Sequence, residues 1–218
     1  MRESLQESQD PKDRKKIHLF LHNYYSNKIE GINVKSITQE HEIALSEAFY
    51  HAKESLEGED LPNWFISASD LFNRAVFWQL IAPMYEEMLQ ILEAKLGPEH
   101  LSVATTQNNL SLLYDNMGNY DKALPLNQRA LKIREKVLGP EHPDVATTLN
   151  NLAGLYYEVK DYDKALPLYQ RTLEVRKNVL GPQHPNVATT LNNLAELYRQ
   201  IGDYDKALIL SEKNREIF

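Results

Sequence analysis

Asn108, Asn150 and Asn192 stand 42 residues apart in a chain of 218, and amides at such a spacing point to recognition rather than turnover. An asparagine side chain offers two N–H donors and a carbonyl acceptor. A row of them can therefore hold the peptide groups of an extended segment without demanding particular side chains. Each lies in a set spaced i, i+3, i+7, i+10 and i+11: Thr105, Asn108, Leu112, Asp115 and Asn116; Thr147, Asn150, Gly154, Tyr157 and Glu158; Thr189, Asn192, Glu196, Arg199 and Gln200. On a helix this spacing keeps all five on one polar face. Asn109, Asn151 and Asn193 recur beside them. We read the first Asn of each pair as a groove contact and the second as structural, satisfying loop or helix-end groups of the adjacent repeat.

Reaction chemistry finds no comparable set. His100, His142 and His184 recur at the same period, but stacked equivalents stand roughly 10 Å apart per interhelical step, too far to close one coordination sphere. They read as loop residues. His18 and His22 have the i, i+4 spacing of a helical metal pair, yet lack the Glu of HExxH and a third ligand, and read as partly buried packing. Glu86-Glu87 and Glu40-His41-Glu42 have no base or nucleophile placed with them and read as solvated faces. Every Gly is isolated and no GxxxxGK[ST] or GxGxxG occurs, so no phosphate loop is expected. The expectation is a non-enzyme with no catalytic residues, no metal and no cofactor.

The elements that must hold the Asn row form a repeat. Gly97, Gly139 and Gly181 open three near-identical units of 42 residues, a period that implies stacked supersecondary units. In the middle copy Pro143 suits a first helical position, and Val145, Leu149, Leu152, Tyr156 and Val159 share a stripe. Asp161 caps a second helix with Tyr162, Ala165, Leu166, Tyr169, Leu173 and Leu180 on its apolar side, ended by Gly181-Pro182 in left-handed C-cap geometry. Pro83, Pro125 and Pro167 sit one turn into the second helix and should bend rather than break it. Two apolar faces per unit require stacking on neighbours, hence a solenoid.

In chain order, residues 1–13 read as a flexible polar tail and 14–60 as a helical hairpin. Its first helix, Ile17 to Ile29, is expected to pack through Ile17, Phe20, Leu21 and Tyr24, and its second through Leu45, Ala48, Phe49, Ala52 and Leu56. Residues 61–96 are a degenerate copy of the unit, with Phe72 at the register of Tyr114, Trp78 at that of Tyr120, and the Asn pair replaced by Ile66-Ser67. Residues 97–138 and 139–180 are full copies. The copy at 181–218 stops within its second helix, leaving Ala207, Leu208, Leu210, Ile217 and Phe218 open to solvent and available for homo-oligomerisation.

The formal charge is −7, and no basic stripe accompanies it, so nucleic acid and anionic membrane are excluded as expected partners. There is no Cys, no membrane-length apolar run and no signal-peptide core, which fits a cytoplasmic protein.

Leu152-Ala153, Tyr156, Tyr162 and Ala165 resemble the tetratricopeptide repeat, and the 42-residue form with LGPEHPDVATTLNNLA is similar to the repeats of kinesin light chains and their bacterial relatives. The resemblance implies an all-α, right-handed α-α superhelix preceded by the N-terminal hairpin, with the polar face of each first helix lining a concave groove. In kinesin light chains the first Asn of the LNNLA-type motif contacts the backbone of bound peptides, which implies that role for Asn108, Asn150 and Asn192. Those grooves use several basic residues to favour acidic peptides with an aromatic anchor. Here Arg74 and Arg199 face Asp70, Asp115, Glu158 and Glu196, so a mixed or basic ligand fits at least as well. The coiled coil that joins kinesin light chains to their heavy chain is absent. The segment EHEIALSEAFYHA resembles connectors ahead of such repeats in bacterial signalling ATPases. Two expectations follow. The first is a scaffold that captures a protein or peptide segment, with selectivity from Tyr157, Glu158, Glu196 and Arg199. The second is a sensor or assembly fragment of a larger signalling protein that associates through its C-terminal end.

Overall fold

The computed structural model describes residues 10–217; the tail up to Gln9 and the terminal Phe218 lie outside them. Among the described residues there are ten α-helices, one short 3-10 turn and no strand. The chain divides into two compact units, Met1–Pro98 and Glu99–Phe218.

The first unit holds α1 (Pro11–Ile29), a 3-10 turn (Val34–Ser36), α2 (Gln39–Ser55), α3 (Asp60–Arg74) and α4 (Trp78–Leu96). Helix α1 begins at Pro11, inside the stretch read as tail, because Asp10 caps it by accepting from Lys12 N and Pro11 needs no donor there. Its packing face differs from the expected one. Ile17, Phe20 and Tyr24 are exposed, Phe20 by 68%, whereas His18, His22 and Ile29 are buried. Two stripes were available on this helix, and the histidines take the inner one because α2 satisfies them. His18 Nδ1 meets His51 Nδ1 at 2.9 Å, and His22 Nδ1 donates to Ala48 O at 3.1 Å. Aromatic contacts continue the core, with Phe65 of α3 at 4.7 Å from both Phe49 of α2 and Tyr85 of α4.

The second unit is three helix pairs: α5 (Leu101–Asn116) with α6 (Tyr120–Leu138), α7 (Pro143–Glu158) with α8 (Tyr162–Leu180), and α9 (Pro185–Ile201) with α10 (Tyr204–Arg215). This is the stacking of helix pairs that the 42-residue period implies. Each first helix is capped by its histidine: the Nδ1 atoms of His100, His142 and His184 accept from the backbone N–H of Ser102, Asp144 and Asn186 at 3.2, 3.1 and 3.1 Å. The recurrent histidines are N-caps. Pro83, Pro125 and Pro167 lie inside continuous helices.

The turns inside and between the pairs are set by backbone sterics. Gly181 ends α8 with φ 86° and ψ 154°, outside the left-handed helical well expected there and in a region essentially open to glycine alone. Between the helices of each pair the chain needs positive φ at one register, filled by Val76, Gly118, Lys160 and Gly202 with φ 68°, 70°, 61° and 90°. A β-branched Val in that conformation is strained.

Candidate peptide-binding face

The site is built on the first helices α5, α7 and α9. Their apolar sides are buried through Val103, Leu110 and Leu113, through Val145, Leu149, Leu152 and Leu155, and through Val187, Leu191, Leu194 and Leu197. That burial fixes the rotation of each helix and turns the asparagine register toward its neighbour.

The asparagines then join in pairs. Asn151 Nδ2 donates to Asn108 Oδ1 at 3.1 Å, and Asn193 Nδ2 to Asn150 Oδ1 at 3.2 Å. The last rung is closed from α10, where Asn214 Nδ2 donates to Asn192 Oδ1 at 2.7 Å. The carbonyl of every first Asn is thus taken, while its NH₂ group donates to no described residue. Asn108 is buried, Asn150 half-buried and Asn192 exposed.

The threonines hold other posts. Thr105 Oγ1 accepts from Arg134 Nη2 at 3.2 Å, whereas exposed Thr147 and Thr189 donate to Pro143 O and Pro185 O one turn back, both at 3.1 Å. Arg134 Nη1 also donates to Asp144 O at 3.2 Å and Thr148 Oγ1 at 2.6 Å, and Arg176 Nη1 to Asn186 O at 3.0 Å and Thr190 Oγ1 at 2.8 Å. Both arginines are 7% exposed, and burial lowers their pKa from the ordinary value. These clasps between second helix and following first helix were missed in the sequence, although Arg134 and Arg176 recur at the repeat period.

At the other end of the face, Tyr157 OH donates to Glu196 Oε1 at 3.4 Å, and its ring lies 5.8 Å from that of Tyr162. Glu196 also accepts from Gln200 Nε2 at 2.9 Å and pairs with Arg199. The hydrogen bond from Gln200, then those from Arg199 and Tyr157, hold its carboxyl below the usual range. Burial of Asp115 and the nearby charge of Glu158 act oppositely and raise the Asp115 pKa. Arg74, in the first unit, pairs with Asp70 at 3.5 Å.

The apolar residues of α10 divide. Ala207 is buried, and Leu210 packs on the cluster of Ala153, Ala165, Tyr169, Leu194 and Leu197. Ile217 is half-buried. The exposed set is Tyr204, Leu208 and Ile209, at 71%, 61% and 50%. No helix among the described residues is long and apolar enough to cross a membrane, and none of their His, Asp and Glu residues gather in threes that could hold a metal ion.

The profile of the tetratricopeptide repeat family matches residues 77–136, 113–178 and 144–218. Among solved structures, BtubC (BKLC) from P. vanneervenii is 22% identical, with TM-score 0.69, covering 96% of this chain and 91% of that one. A Podosopora anserina protein of kinesin light chain type with nearly identical TPR-like repeats is 23% identical, with TM-score 0.66, covering 96% and 97%. MamA from Desulfovibrio magneticus RS-1 is 16% identical, with TM-score 0.62, covering 90% and 94%. No curated protein sequence matches.

Proposed function

The chain belongs to the tetratricopeptide repeat family, whose helix pairs act as protein–protein interaction scaffolds, and from this we propose that the polar face of α5, α7 and α9 binds an extended peptide segment of a partner without catalysing a reaction. The observation that carries the reading is the state of the three first asparagines. Their carbonyls are locked by Asn151, Asn193 and Asn214, so each NH₂ group is held in place with no acceptor among the described residues. Adjacent first helices stand about 10 Å apart, so three rungs span about 20 Å, the length of about six extended residues. A row of oriented donors at that spacing suits the carbonyls of a strand-like ligand, while Tyr157, Glu158, Glu196 and Arg199 would select its side chains.

A phage-displayed library of peptides of about 12 residues, selected on the full chain, tests this. Enriched peptides should bind at least tenfold more weakly to Asn150→Ala/Asn193→Ala, about 1.4 kcal/mol, a variant that removes both partners of one rung and leaves no orphaned amide. Equal binding by that variant, or no enrichment, removes the groove assignment.

A second reading rests on α10. Tyr162 and Leu166 are half-buried on the cluster that includes Leu194 and Leu197 of α9, whereas Tyr204 and Leu208, at the same register one copy later, are 71% and 61% exposed. Self-association through this face would cover them. Light scattering coupled to size exclusion should then show an oligomer that Leu208→Glu/Ile209→Glu makes monomeric; a monomer at all concentrations eliminates this reading.

A further inference from the structure

Tyr169 lies 5% exposed between α7 and α8, yet its hydroxyl has no hydrogen-bond partner among the described residues. The other copies show what is missing. At the same register Tyr85 OH meets Ser69 Oγ at 2.9 Å, and Asn127 Nδ2 donates to Ser111 Oγ at 3.3 Å. The third copy has Ala153 in place of that serine, so the phenol has lost its partner on the first helix. Its oxygen points instead at Gly154, where an added Cβ would stand 3.6 Å away. Leu112 and Glu196 fill this register in the neighbouring copies. A glycine inside a helix costs about 1 kcal/mol relative to alanine, and what it leaves in α7 is a notch on the asparagine face, one turn beyond Asn150.

The carboxylates whose fields act on the Tyr169 phenol, Glu158 and Asp115, are of one sign. Asp115 and Glu158 make no ion pair with any described residue, and Asp115 is half-buried. Their fields reach one another and the phenol. Asp115 is pushed up by burial and by Glu158, and Tyr169 is pushed up to about 12 by burial and then by Tyr157, Glu158 and Asp115. Burial is the larger cause of both, and the like charges acting beside it have the sign of a site that lacks a cation. A negatively charged ligand group would add to that repulsion, whereas a guanidinium or ammonium group would relieve it and find in the two carboxylates and the phenol oxygen the acceptors its N–H groups need. The ring of Tyr157, held by the bond to Glu196, offers an aromatic face alongside.

We propose that the Gly154 notch, with Tyr169, Asp115 and Glu158, is a subsite for the cationic side chain of an Arg or Lys in a bound polypeptide. The proposal rests on the peptide-binding reading and assigns its ligand class: a basic segment, matching a chain of net charge −7.

A single-residue probe separates the subsite from the groove. The isotope-labelled full chain is titrated with N-acetyl-arginine N-methylamide and followed by NMR, with the uncharged citrulline analogue as control. The Gly154 amide and the Tyr169 ring should shift with the arginine probe alone. The apparent Kd should rise about fivefold or more in Glu158→Gln and in Tyr169→Phe, and Gly154→Leu, which copies the residue at Leu112, should abolish the response. Asn150→Ala/Asn193→Ala serves the library test alone, where it weakens the peptides, while Glu158→Gln and Tyr169→Phe report on the subsite. Equal shifts with citrulline, unchanged affinity in Glu158→Gln and Tyr169→Phe, or no shift at Gly154 up to probe saturation would overturn the subsite. Arginine binding that survives while the library test fails would overturn the groove and leave the subsite standing.

Discussion

Asn151 of α7 donates its side-chain N–H to the side-chain carbonyl of Asn108 in α5 at 3.1 Å, and the repeat carries the same contact forward from Asn193 to Asn150. One amide of each pair therefore ties the stack together. The other is tied at its oxygen and open at its nitrogen, so stability and recognition share a side chain.

That sharing predicts a coupling energy. Asn150→Ala alone leaves Asn193 Nδ2, on a half-buried residue, without its acceptor and should cost about 1 kcal/mol of unfolding free energy. Asn193→Ala alone should cost a similar amount, and the double variant clearly less than the sum. Urea unfolding of the four proteins closes the cycle; strict additivity would mean that the rung contributes nothing to folding.

Gln107 is the opposite case, a polar side chain with no hydrogen-bond partner among the described residues. It is fully buried in α5, both its Nε2 and Oε1 lack hydrogen bonds, and the same register in the later copies holds buried Leu149 and Leu191. An unsatisfied buried amide costs roughly 1–3 kcal/mol. Gln107→Leu should therefore raise stability by about 2 kcal/mol, or roughly 4–8 °C in Tm for a chain of this size. An unchanged or lower Tm in a thermal melt would show that the pocket does not accept leucine's shape.

Much of this was legible in the residues, for identifiable reasons. A period of 42 survives any local ambiguity, so the helix pairs around Leu149, Leu191 and Ala165 follow from it. The asparagine row was visible for the same reason, but its pairing was not: spacing places Asn108 and Asn150 on one face without saying that Asn151 reaches back to the first. The α1 face was misread because hydropathy ranks Phe20 above His22, whereas burial here follows from which side chains find partners, and Ala48 O and His51 Nδ1 are the partners. The Gly154 notch escaped notice because it depends on two absences, a side chain at 154 and a hydroxyl at Ala153, in different positions of one copy.

Buried His22 of α1 makes the first unit sensitive to acid. His22 is 4% exposed, donates from Nδ1 to Ala48 O and meets the Trp64 ring edge-on at 4.6 Å. Burial lowers its pKa below the ordinary 6.5, with the Ala48 bond acting the other way. The unfolded chain then binds a proton more readily than the folded one, so the contribution to stability is complete above pH 6.5 and is lost as pH falls from there toward the lowered folded value. Beside His22, His18 Nδ1 meets His51 Nδ1 at 2.9 Å, one nitrogen donating to the other, and Glu47 stands 3.9 Å from His51 Nε2. Hydrogen exchange of α1 and α2 at about pH 7.5 and about pH 5.5, after correction for the intrinsic rate, should show protection falling in acid, and His22→Gln should flatten the difference. Protection that holds across this range would mean that the His22 imidazole stays neutral at no cost to the fold.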